Sequence, residues 1–68
     1  MEDADLKRWD RRVVVVTLKS GEQLTGLFMA SREEGLFNIG SAPSRAGVIE
    51  GGVLVDIRGT EITEISMA

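Results

Sequence analysis

The sequence predicts a mainly β domain, in which a short N-terminal helix is followed by a strongly bent five-stranded antiparallel sheet forming a small open barrel. Three observations point to it. Short runs of β-branched and apolar residues recur along the chain, separated by turn residues. At 68 residues there is room for one core only, since a chain this short buries about 60% of its unfolded surface. Glycines stand inside predicted strands, at Gly26 and Gly51-Gly52, where a sheet can bend. Five short strands in one small domain cannot build a two-layer sandwich of ordinary size, so the sheet must curl on itself. Residues 1–68 are therefore read as a single domain.

The helix is expected over residues 3–10. Asp3 or Asp5 can cap its N-terminus, and Lys7 and Arg8 suit the negative end of its dipole. Leu6 and Trp9 would share the buried side. Trp9 reads either as the anchor of this helix or as a stacking surface for a ligand.

Strands are expected over residues 13–19 and 22–31, joined by a tight turn at Ser20-Gly21. On a period of two, Val14, Val16 and Leu18 face the core, as do Leu24, Gly26, Phe28 and Ala30. The opposite face then carries Val13, Val15, Leu27 and Met29, where a solvated sheet would be polar. That surplus apolar surface, in a chain with no cysteine to staple it, predicts assembly with other copies. A polar turn around Ser31 to Gly35 leads to a strand over 36–40, and the loop after it holds Pro43. The last strands are expected over 48–58 and 61–67, with Val53, Val55 and Ile57 alternating into the core before Arg58-Gly59 turns the chain.

Composition narrows the function classes. With no His and no Cys, the usual general bases, strong nucleophiles and zinc ligands are missing, so the chain is read as not an enzyme and as holding neither metal nor cofactor. A formal charge of −3 argues against a broad basic surface that coats duplex nucleic acid. A small, locally basic pocket remains compatible with it. The first residues lack a basic and apolar leader pattern, and the apolar run at 13–16 is far too short to cross a bilayer, so a soluble, cytoplasmic protein without a membrane partner is expected.

Two stretches carry a resemblance. Val14, Val16, Leu18, Gly21, Leu24, Gly26 and Phe28 are spaced as in the first motif of the Sm and Sm-like (LSm) family, and Ile57-Arg58-Gly59, Ile62 and Ile65 resemble the second. The order of helix and bent strands is similar too, over nearly the whole chain. The end of the first motif is best matched by Glu34-Gly35-Leu36-Phe37-Asn38, with a short insertion after Gly26 and Glu in place of the usual Asp. The resemblance implies a homo-oligomeric ring of about five to seven subunits, the last strand of each pairing with the fourth strand of its neighbour. It also implies binding of single-stranded, uridine-rich RNA near the central pore.

In such a site Phe37 offers a face for base stacking. Asn38 carries the donor and acceptor needed to read a uracil edge. Arg58 can stack on a base or hold a phosphate, Gly59 lets the backbone approach closely, and Glu34 would orient Asn38 or its loop. Each also has a plainer reading. Phe37 reads equally as a core aromatic, Asn38 as a turn cap, and Arg58 as a surface charge or the partner of Glu61 or Asp56. Gly59 reads as serving the turn alone, and Glu34 as part of a hydrated loop. The alternative function is a structural assembly or protein-interaction module with the same fold and no RNA binding.

Overall fold

The computed structural model describes residues 1–41 and 54–68. The expected loop after Gly40, with Pro43, the bend at Gly51-Gly52, the inward position of Val53 and the first part of the fourth predicted strand lie outside the described residues.

Helix α1 spans Asp3–Lys7 and is shorter than its sequence suggests. The chain leaves it through a series of tight turns in which the N–H groups of Trp9, Asp10 and Arg12 donate to the carbonyls of Leu6, Lys7 and Trp9. Arg11 then takes a left-handed backbone with φ of 67°, which ends any helical continuation. The cap differs as well. Glu2 occupies the N-cap without a side-chain hydrogen bond, while Asp3 and Asp5 sit in the first turn, where their charge suits the dipole.

Five strands follow: β1 (Arg12–Leu18), β2 (Gln23–Ala30), β3 (Leu36–Ser41), β4 (Leu54–Arg58) and β5 (Ile62–Met67), with a 3-10 turn at Gly59–Glu61 between the last two. They form one antiparallel sheet in the order β4-β3-β2-β1-β5. β4 and β5 stand at the two ends and are not paired to each other, so hydrogen bonding does not close the sheet into a barrel.

The β1–β2 hairpin encloses Lys19, Ser20 and Gly21. The Leu18 carbonyl accepts from Gly21 at 2.8 Å, its N–H donates to Glu22 at 2.9 Å, and Gly21 has a φ of +92°. This is the three-residue connection with a left-handed third position, where glycine carries no steric penalty.

Alternation along the strands builds the core as expected. Leu6, Val14, Val16, Phe28, Phe37, Ile39, Ile57 and Ile62 are buried, with Trp9, Leu18, Leu24, Ala30, Val55 and Ile65 packed around them. The rings of Phe28 and Phe37 stack at its centre, 5.1 Å apart and 13° from parallel. Helix α1 contributes Leu6 to this side of the sheet. Gly26 is buried where the β3 backbone passes over β2, and a Cβ at this position would collide with the Gly40 carbonyl. The bend read from the glycine pattern thus has a steric counterpart.

The other face of the sheet carries an apolar row that is exposed among the described residues. Val13, Leu27 and Gly40 lie in successive register with Leu54, making one row across β1 to β4, and Met29 stands two residues from Leu27 on the same face. Val13, Leu27, Met29 and Leu54 are all exposed, Leu54 at 68%. Val15, on the same face, is half-buried.

Candidate nucleic-acid interface

The residues proposed to read RNA fall on β3, on β4 and at the two turns beside them. Across the β3–β4 ladder, Leu36 lies opposite Arg58, Phe37 opposite Ile57, and Asn38 opposite Asp56. Neighbouring residues on a strand point to opposite sides, so Phe37 and Asn38 cannot share a sheet face. Asn38, Asp56 and Arg58 lie together on the outer face, with Asn38 and Arg58 in diagonal positions where long side chains can converge on one ligand.

Phe37 is the clearest correction. It is 1% exposed and stacked on Phe28, so it is a core aromatic with no face left for a base. Its partner across β4 is the buried Ile57, which fixes the inward orientation. The period-two rule contained this signal, because Phe37 shares the parity of Ile39.

Arg58 is held at the end of β4 and is 56% exposed. Its Nη1 donates to Glu33 Oε2 at 2.7 Å, so the partner is neither Asp56 nor Glu61. The reason is register. Leu36 opposite Arg58 brings the β2–β3 loop beside the guanidinium, while Asp56 is spaced two residues back along the strand. An exposed pair of this kind contributes about 0–1 kcal/mol, so an incoming phosphate could displace Glu33 at small cost.

Glu34 pairs with Lys7 of α1 at 3.5 Å, with 83% of its side chain exposed. It ties the β2–β3 loop to the helix, and its recorded ion-pair partner is therefore Lys7 instead of a group beside Asn38. The loop between them turns at Gly35, whose φ is +80° and whose carbonyl accepts from the Gly59 N–H at 2.9 Å.

Gly59 is buried at the first position of the 3-10 turn. A Cβ here would stand 3.0 Å from Leu6 Cδ1 and 3.1 Å from Phe37 Cε1. The close approach that requires glycine is therefore made by the helix and the core, on the side away from solvent. Only Asn38 and Arg58, of the five candidates, have the exposure and the shared face that a ligand contact needs. Two acids join them: Glu33, through the ion pair, which sequence reasoning had not placed there, and Asp56, through register, which it had offered as a partner of Arg58.

Among the described residues no three acidic side chains gather as a metal site. No described helix is long and apolar enough to cross a membrane. Comparison with protein-family models, with curated proteins and with solved structures finds no match for the chain.

Proposed function

We propose that the chain is an Sm-like subunit that assembles head to tail into a ring and binds single-stranded, uridine-rich RNA. The observation that carries the reading is the sheet order β4-β3-β2-β1-β5, which among the described residues leaves one β4 edge and one β5 edge per subunit. Two different edges on one molecule favour a heterologous contact, and such contacts generate rings when the rotation closes. Asn38 and Arg58 lie on β3 and β4, one of them at the strand that would meet the neighbour. In a ring each Arg58 is repeated, and a phosphate that displaces Glu33 would meet a circle of guanidinium groups with Asp56 on the same face.

Asn38 supplies paired donor and acceptor to a uracil edge, and Arg58 supplies the charge that holds a phosphate or stacks on a base. Phe37 and Gly59 maintain the scaffold under them, and Glu34 anchors the loop. Fluorescence anisotropy with oligouridylate at moderate salt tests the proposal. Wild type binds, and Asn38→Ala and Arg58→Ala each weaken binding by about tenfold. A folded protein that does not bind, or unaltered binding by both variants, overturns it.

The row of Val13, Leu27 and Leu54, with Met29 beside it, exposed among the described residues, favours a second reading, in which the same fold acts as an assembly or protein-interaction module without RNA. Native purification separates the two. Copurifying nucleic acid supports the first, and a stoichiometric protein partner with no nucleic acid supports the second.

A further inference from the structure

A recess of about 360 Å³ is lined by Arg8, Trp9 and Arg12 at the junction of α1 and β1, and by Met67 of β5. It uses none of the residues assigned to RNA. Trp9, the single tryptophan of the chain, is half-buried and packs against the core, so part of the indole is fixed while the remainder lines the recess. The backbone around it is also fixed, because the Trp9 N–H donates to Leu6 at 2.9 Å and the Trp9 carbonyl accepts from Arg12 at 3.1 Å. Arg8, the C-cap of α1, and Arg12, the first residue of β1, line the same recess as the indole.

Charge adds a second reason to read this recess as a binding site. Acids outnumber bases in this chain by 11 to 8. Even so, among the described residues neither Arg8 nor Arg12 forms an ion pair, whereas Lys7, Arg11 and Arg58 do. The nearest acid in the turn, Asp10, is engaged elsewhere, with Oδ1 accepting the Ala30 N–H at 2.8 Å. An indole surface and a thioether suit a planar ring. Two guanidinium groups with no ion-pair partner among the described residues suit an anionic group with several acceptor oxygens. The volume lies in the range of small-molecule sites.

We propose that this recess binds a free nucleoside monophosphate, with the base on Trp9 and Met67 and the phosphate between Arg8 and Arg12. A terminal nucleotide of RNA offers the same chemistry, and the two sources are separated by the probes. The experiment titrates AMP, adenosine, inorganic phosphate and oligouridylate into the full chain and follows the fluorescence of Trp9, the single tryptophan, with the arginine variants assigning the signal to this recess.

AMP is expected to give saturable quenching, with adenosine and phosphate each weaker by about tenfold or more. Arg8→Gln and Arg12→Gln, both exposed positions, are expected to weaken AMP by a similar factor while circular dichroism stays unchanged. Asn38→Ala and Arg58→Ala are expected to leave AMP binding intact, which keeps this site distinguishable from the RNA surface. The proposal is overturned if AMP gives no saturable quenching up to millimolar concentration. It is equally overturned if adenosine or phosphate alone matches AMP, if the folded arginine variants bind as wild type, or if only oligouridylate quenches.

Discussion

Gly26 shows how one missing side chain shapes the sheet. The Gly40 carbon lies 2.7 Å from where its Cβ would stand, and both contacts are with backbone, so no side-chain rotation can relieve them. Gly26→Ala is therefore expected to cost about 3 kcal/mol or more, seen as a lower midpoint in urea denaturation. Wild-type stability in that variant would show that β3 does not need to pass so close. Arg11 is the opposite case, an ordinary residue at φ of 67°. Arg11→Gly should relieve left-handed strain and be neutral or stabilising by up to about 1 kcal/mol, the gain being reduced by the greater freedom of glycine in the unfolded chain. A clear loss of stability would indicate that the exposed arginine side chain contributes more than the backbone costs. Phe37 belongs to the core, so Phe37→Ala should cost about 3–5 kcal/mol of stability. Loss of ligand binding without loss of stability would contradict its assignment.

At the scale of elements, the pattern of alternation was the most legible feature. Val14, Val16, Phe28 and Ile57 were placed inward, and Val13, Leu27 and Met29 outward, from spacing alone. Where the structure describes them, strand bounds moved by no more than one residue, because apolar alternation and turn glycines agree with each other locally. Two kinds of feature were not legible. The helix was overextended because a left-handed arginine leaves no mark in composition. The Glu33–Arg58 pair depends on the register of β3 against β4, a long-range property that propensity does not encode. The inward position of Phe37 was legible too, because it shares the parity of Ile39 on β3. The ion pair gives its own prediction. Glu33→Gln should change stability by less than about 1 kcal/mol, and by freeing Arg58 should raise oligouridylate affinity by at most about fivefold, measured by anisotropy. Weaker binding would assign Glu33 a positioning role instead of a competing one.

At the scale of the molecule, the chain leaves two kinds of surface without partners among the described residues: the β4 and β5 edges, and the apolar row from Val13 to Leu54. A domain of this size gains little from its own core, so burying them against further copies is an effective source of stability. The Arg58 circle proposed for RNA exists only in that assembly, as does any pore. Ring formation is thus the claim on which the functional reading depends. Light scattering coupled to size exclusion at micromolar concentration tests it most directly. The account predicts one discrete species whose mass is a multiple of 7.4 kDa greater than two, and a folded monomer under those conditions would contradict it.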